Sequence, residues 1–166
     1  MNVGSYNDPP HRQGMAHFLE HMIFMGSQKY KEEAAYSEHV SANGGYCNAY
    51  TEFELTNFQF NVQYSGLQKA LDMAANNFAS PLLCKEAMER EINAVESEFK
   101  GVVTDDNLRL IEIVKKTLQS DKHIFTTFAW GNLKSLVEDE DMDALWDDLQ
   151  KFYDEYYSAD RMKLVI

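Results

Sequence analysis

The sequence Gly14-Met-Ala-His-Phe-Leu-Glu-His-Met-Ile-Phe-Met-Gly26 decides how the rest of this chain must fold. Its apolar residues would cover most of the circumference of a helix, so we expect a helix that lies buried. Three polar side chains interrupt this surface, namely His17, Glu20 and His21. Because burying polar groups without partners costs free energy, these three side chains must have compensating partners.

The three residues form the pattern H-x-x-E-H, which predicts a metal site. Residues at positions i and i+4 of a helix lie one turn apart on the same face, so His17 and His21 can point at one ion. Imidazole nitrogens are common zinc ligands. Glu20 projects beside them and can accept a proton from a water molecule at the metal. Two hydrogen-bonded core histidines are the alternative, which the burial of three polar groups disfavours.

A third protein ligand is expected, since catalytic zinc takes three and keeps one position for water. The predicted helix over residues 85–100 is rich in glutamate. Glu91 and Glu98 are two turns apart on it and share one stripe beside its apolar face. Spacing alone narrows the third ligand to this pair and leaves both open.

The hydrophobic periodicity predicts six helices and three strands, and a turn around residues 52–54 would pair the first two strands antiparallel. The predicted helices cover residues 15–25, 31–41, 66–80, 85–100, 108–118 and 141–157. The predicted strands cover residues 46–51, 55–64 and 161–166. In the second strand Phe58, Phe60, Val62 and Tyr64 alternate onto one face.

Composition limits the partners of the chain. The net charge of −12 argues against nucleic acid, because no basic patch would neutralise phosphates. There is no apolar run long enough to cross a membrane, and two cysteines do not make a disulfide framework. We therefore expect a cytoplasmic protein without membrane or nucleic-acid partners.

Two motifs in order resemble a known family. His17-Phe-Leu-Glu-His21, followed by Glu91-Ile-Asn-Ala-Val-Glu-Ser-Glu98, is similar to the pitrilysin/insulinase (inverzincin) family of zinc metallopeptidases, in its insulysin and nardilysin branch. Further matches are Asp8-Pro9-Pro10, Asn48-Ala49 and Gly131-Asn132. The resemblance extends over nearly the whole chain.

The resemblance implies a zinc-dependent metalloendopeptidase that hydrolyses peptide bonds by zinc-activated water. It implies Zn²⁺ bound by His17, His21 and Glu98, with Glu20 as general base. Glu91 would support the site from outside the ligand set. The fold implied is α+β, with an antiparallel sheet flanked by helices, as in the N-terminal domain of pitrilysin/insulinase-type enzymes.

The resemblance also implies how a peptide binds. The strand over residues 46–51 would pair with substrate main chain, with Asn48 and Ala49 making the contact. An ordinary structural strand is the alternative reading of these residues.

Members of this family are several times longer than this chain. We therefore expect residues 1–166 to be a single truncated N-terminal metallopeptidase domain. A missing C-terminal half or a partner subunit would complete the substrate chamber. A catalytically weak relative that binds peptides or partners is the competing function. A structural zinc domain is disfavoured, because a closed site has no use for a glutamate outside the ligand set.

Overall fold

The computed structural model of the chain describes residues 1–117, 123–137 and 141–166. Within these ranges the fold is α+β, with a two-stranded antiparallel sheet among helices, as the sequence predicts. The helices are α1 (Met15–Ile23), α2 (Ala35–Ala42), α3 (Tyr64–Ala79), α4 (Lys85–Val102), α5 (Asp106–Thr117), α6 (Leu133–Leu136) and α7 (Met142–Tyr156). The strands are β1 (Tyr46–Thr51) and β2 (Thr56–Asn61).

Helix α1 lies at the centre of the fold. Seven of its residues are buried, namely Met15, Ala16, Phe18, Leu19, Glu20, Met22 and Ile23. Helices α4 and α7 pack over it and add Ile92, Val95, Leu145 and Leu149 to the same core. The apolar circumference seen in the sequence therefore has its expected consequence, since a helix that is apolar all round has to be covered on all sides.

The N-terminus of α1 is capped by a side chain from outside the helix. One carboxylate oxygen of Asp8 accepts from the Gly14 N–H at 2.7 Å, and the other accepts from the Ala16 N–H at 2.8 Å. These N–H groups belong to the first helical turn, which has no acceptors within the helix. Burial raises the pKa of Asp8 to about 7, and its ionised form also interacts favourably with the helix dipole. Asp8 thereby fixes where the histidine-bearing helix begins.

The sheet places one face of β1 against α1. Its register pairs Tyr46 with Asn61 at one end and Thr51 with Thr56 at the other. Side chains alternate along β1, so Cys47, Ala49 and Thr51 are half-buried while their neighbours are exposed. Within the described residues β2 is the only strand paired with β1, and the second edge of β1 has no strand beside it.

The second predicted strand is wrong at its end. β2 stops at Asn61 and α3 begins at Tyr64, whose side chain is 91% exposed instead of sharing the inward face of Phe58 and Phe60. The cause is a local turn. Gln63 has the extended backbone of an N-cap residue, and its carbonyl accepts from the Gly66 N–H at 2.9 Å. Helix formation thus overrides the alternation of side chains.

Two other boundaries differ from the prediction. Residues 31–34, predicted as helix, precede α2 and form a turn in which the Ala35 N–H donates to the Glu32 carbonyl at 3.0 Å. The predicted strand over residues 161–166 does not form. Ala159–Arg161 is a short 3₁₀ helix, and residues 162–166 pair with no strand of the described chain. A β-prone segment becomes a strand only when another strand supplies hydrogen bonds.

The last residue of the predicted helix 108–118 lies outside the described residues. None of the helices in the described chain has the length and apolar character that a membrane span needs.

We expect Asp8→Ala to lower the free energy of unfolding by about 2 kcal/mol, because it removes the acceptor of two first-turn N–H groups. Chemical denaturation followed by circular dichroism measures this loss. Asp141→Ala is the matched control, since Asp141 caps α7 through a single bond from the Ala144 N–H at 2.9 Å. Its loss should be smaller, and an Asp8→Ala protein as stable as the parent would contradict the assigned role.

Candidate metal centre

His17 and His21 present the same ring nitrogen to one point above α1. The Nδ1–H of His17 donates to the Trp130 carbonyl at 2.6 Å, and the Nδ1–H of His21 donates to Glu91 Oε2 at 3.0 Å. The two ring centroids are 4.9 Å apart. With Nδ1 engaged as donor, each neutral imidazole carries its lone pair on Nε2, which is the form that binds metals.

Glu98 completes the cluster. Its Oε2 lies 3.6 Å from Nε2 of His17 and 3.6 Å from Nε2 of His21. Ligand atoms of the three residues all lie within 4.8 Å of one another. Two atoms bound tetrahedrally to one zinc ion are roughly 3.4 Å apart, given ligand distances of about 2.0–2.2 Å. Two imidazoles and a carboxylate at this spacing fit Zn²⁺ with one position left open.

Glu91 occupies a different position from Glu98, although both come from α4. It contacts Nδ1 of His21, the nitrogen that faces away from the cluster. The structure therefore separates the two carboxylates that spacing left equivalent. Glu98 faces both Nε2 atoms, and Glu91 accepts from the Nδ1–H of His21.

Glu20 is buried beside the cluster but does not belong to it. The Thr51 hydroxyl donates to Glu20 Oε2 at 2.6 Å. Burial raises the pKa of Glu20, and the hydrogen bond from Thr51 offsets this only in part. A carboxyl whose pKa moves upward from its usual acidic range is better suited to accept and return a proton near neutral pH.

The surroundings shift the pKa values of His17 and His21 in opposite directions. Burial lowers the pKa of His17 more than its bond to the Trp130 carbonyl raises it. Burial also acts to lower the pKa of His21, but the hydrogen bond to Glu91 and the nearby negative charges outweigh it, so this pKa is raised. Since metal binding requires neutral imidazole, His21 is the ring whose proton competes with the metal.

A contact between two glycine backbones places the Trp130 carbonyl on His17. Gly14 and Gly131 both have positive φ values, +97° and +81°. A Cβ atom on Gly14 would lie 2.1 Å from the Cα of Gly131, so no side chain fits between the two segments. Sequence reasoning missed this support, because the acceptor is a main-chain oxygen and carries no side-chain signature.

The cluster opens into a cleft with a volume of about 630 Å³. Asn48 and Ala49 of β1 line it together with the cluster residues and Trp130. Thr51 also lines it and was not predicted as a site residue, although the alternation of β1 places it on the same face as Ala49. The cleft therefore combines the metal cluster, Glu20 and an edge of β1 that has no strand beside it in the part of the chain that the structure describes.

Comparison with known sequences identifies the family. The sequence model described as insulinase (peptidase family M16) matches residues 1–129. The chain belongs to this insulinase family. The resemblance noted in the sequence is thereby confirmed.

Members of the insulinase family align with the whole of this chain. It is 45% identical over 168 residues to a protein named nardilysin-like from Arabidopsis thaliana, covering 100% of this chain and 16% of that protein. It is 38% identical over 169 residues to insulin-degrading enzyme from Homo sapiens, again covering 100% and 16%. The chain thus spans about a sixth of the length of these relatives.

The fold agrees with a solved structure of the insulinase family. Pitrilysin superposes with a TM-score of 0.88 and 38% sequence identity, over 95% of this chain and 17% of pitrilysin. This confirms the predicted fold class. A Schizosaccharomyces pombe relative, 39% identical over 168 residues and covering 100% of this chain and 17% of that protein, has a name that includes the words zinc protease. Family and name indicate Zn²⁺ as the cofactor, and the described residues His17, His21 and Glu98 fit it.

We expect Glu91→Gln to weaken zinc binding about 10-fold at pH 8, because the partner that orients His21 loses its charge. The same change removes a cause of the raised His21 pKa. In the parent protein, the proton on His21 therefore begins to compete with zinc at a higher pH than it does in Glu91→Gln. The difference between the two proteins should accordingly shrink at pH 6.

Competition with a chromophoric chelator at both pH values measures these affinities. Glu89→Gln is the control, since Glu89 is an exposed residue of the same helix and takes no part in the cluster. Equal zinc affinity for the parent and Glu91→Gln at pH 8 would contradict a supporting role for Glu91.

Proposed function

We propose that this chain is the catalytic domain of a zinc-dependent metalloendopeptidase that hydrolyses peptide bonds. One observation carries the proposal. Glu98 Oε2 lies 3.6 Å from both Nε2 atoms of the histidine pair, while Glu20 lies beside this cluster without being part of it. A structural site would have no use for such a glutamate.

Three residues would hold the metal. His17 and His21 contribute Nε2, and Glu98 contributes a carboxylate oxygen. Zn²⁺ at this position supplies Lewis-acid polarisation of the peptide carbonyl and lowers the pKa of water. Trp130 and Glu91 keep the two imidazoles in the binding tautomer by accepting from Nδ1.

Glu20 would transfer the proton, first as general base and then as general acid. As general base it takes a proton from the attacking water, and it then delivers that proton to the amine of the leaving peptide. Both steps are compatible with a carboxyl whose pKa is raised by burial. The hydrogen bond from Thr51 to Oε2 limits the rotation of this carboxyl group. The other carboxyl oxygen can then face the cleft.

Strand β1 would bind the substrate. Asn48 and Ala49 line the cleft on a strand whose second edge has no strand beside it in the described chain. An extended peptide adding to this edge is held by main-chain hydrogen bonds, which suits an enzyme acting on peptides of varied sequence.

We place this function within a larger assembly. Residues 1–166 would form a single truncated N-terminal metallopeptidase domain, since the chain aligns with 16% of the human and Arabidopsis relatives named above. A C-terminal half or a partner subunit would close the cleft over a peptide. We assign the protein to the cytoplasm, although one Arabidopsis relative is named as peroxisomal.

A catalytically weak protein that binds peptides or partners is the second candidate. The open cleft favours it, because the Glu98 side chain is 47% exposed at the cluster. Catalysis depends on holding water and substrate in position, and a cleft open to solvent does this poorly. The two candidates share the zinc site and differ in turnover.

We expect the purified protein to bind about one zinc ion per chain, as the one cluster of three ligands among the described residues implies. His21→Ala should abolish stoichiometric binding, because it removes one of the three ligands. Inductively coupled plasma mass spectrometry after dialysis measures the content. His39→Ala is the control, since His39 lies on α2 outside the cluster. A metal-free parent protein that cannot be loaded would exclude the site.

Glu20→Gln should retain zinc and lose peptide hydrolysis, because the amide cannot accept the proton from water. A quenched fluorescent peptide measures the rate. The parent chain should hydrolyse the peptide poorly or not at all, since substrate orientation supplies a large share of the rate and much of the chamber is expected elsewhere.

The comparison of these two proteins separates the candidate functions. Slow hydrolysis that Glu20→Gln removes supports the peptidase. A rate that is the same in Glu20→Gln as in the parent would rule out Glu20 as the base. A zinc-loaded parent that binds the peptide without cleaving it would favour the binding protein.

A further inference from the structure

Thr51 contacts Glu20 from the last position of β1. Its hydroxyl donates to Glu20 Oε2 at 2.6 Å, and the Glu20 carboxylate has no other hydrogen bond within the described residues. Thr51 itself does not belong to the ligand cluster. The position of this buried carboxylate therefore depends on a single hydroxyl group.

The Thr51 hydroxyl proton has two possible acceptors, Glu20 and the neighbouring Thr56. The Thr56 hydroxyl donates to the Val3 carbonyl at 2.9 Å, so its only proton is already used. Thr51 can then give its proton either to Thr56 Oγ1, 3.3 Å away, or to Glu20 Oε2 at 2.6 Å. The carboxylate is both the closer and the stronger acceptor.

The backbone around Thr51 is held in place on two sides. Thr51 and Thr56 are opposite each other in the sheet, and the Glu52 N–H donates to the Leu55 carbonyl at 2.8 Å to close the turn. The Glu52 carbonyl accepts from the Ser5 N–H at 3.0 Å. Packing and hydrogen bonds of this kind give a fixed donor, as orientation of a reactive group requires.

We propose that Thr51 is a positioning residue for Glu20. Its hydroxyl holds one carboxylate oxygen against β1, which keeps Glu20 out of the His17, His21 and Glu98 cluster. The second oxygen has no hydrogen-bond partner among the described residues and is left for the proton transfer. The inference rests on the proposed function in one respect, namely that Glu20 is the general base.

Thr51→Val tests this role, because valine has nearly the same shape and lacks the hydroxyl. In the zinc-loaded protein we expect kcat for a quenched fluorescent peptide to fall about 10–100-fold, the range typical of residues that orient a reactive group at a metal site. KM and zinc affinity should stay close to those of the parent, since the Thr51 hydroxyl is hydrogen-bonded to Glu20 and not to His17, His21 or Glu98. Thr51→Ser restores the donor and should recover most of kcat.

Thr56→Val is the matched control. It removes a buried hydroxyl from the opposite position of the sheet and leaves the Val3 carbonyl without its donor, so the unfolding temperature should drop. It does not remove the bond from Thr51 to Glu20, and kcat should be retained. Equal losses of kcat in Thr51→Val and Thr56→Val, or no rescue by Thr51→Ser, would overturn the proposal.

Crystal structures of the parent, Thr51→Val and Thr51→Ser give a readout independent of turnover. The Glu20 carboxylate should leave its parent position in Thr51→Val and keep it in Thr51→Ser. An unmoved carboxylate in Thr51→Val would overturn the inference even if the parent hydrolyses peptides. If the zinc-loaded parent binds the peptide without cleaving it, the binding protein is favoured over the peptidase, and these structures still decide whether Thr51 positions Glu20.

Discussion

The fold depends on burying helix α1 together with the two imidazoles and one carboxylate that it carries. Each of these groups receives a partner from a different part of the chain. His17 bonds to the Trp130 carbonyl, His21 to Glu91, and Glu20 to Thr51. A buried polar group without a partner would cost several kcal/mol, as much as a large part of the stability of a small domain. The arrangement at the cluster is therefore a property of the whole fold.

The predictions from the sequence are right for elements that depend on local residue pattern. They fail where the formation of a strand depends on the rest of the fold. The apolar circumference of α1 and the alternation along β1 are visible in the residues alone. The region of Tyr64 alternates like a strand but lies within α3, because Gln63 begins a helix there. Residues 161–166 have a β-prone composition, but no strand of the described chain lies beside them. Alternation shows which residues can form a strand, and the rest of the fold decides whether they do.

The candidate site was predictable to the extent that it consists of side chains at regular spacing. His17, Glu20 and His21 follow from the helical period. Glu91 and Glu98 share a stripe of α4, and only the packing of α4 against α1 shows that they face different nitrogens. The Trp130 carbonyl could not be predicted, because every residue has a main-chain oxygen. Thr51 could have been suspected from the inward face of β1, but its partner depends on how β1 lies on α1.

Because Gly14 contacts Gly131, the main chain and the side chain of residue 130 have separate roles. The glycine backbones hold the carbonyl of residue 130 on His17, and this bond does not involve the side chain at that position. The indole of Trp130 lines the cleft, with its ring 5.9 Å from that of His17. The shape of the cleft can therefore change at position 130 while the support of the metal ligand is preserved. Substitutions at position 130 can alter which molecules the cleft accepts, provided that Gly14 and Gly131 both remain.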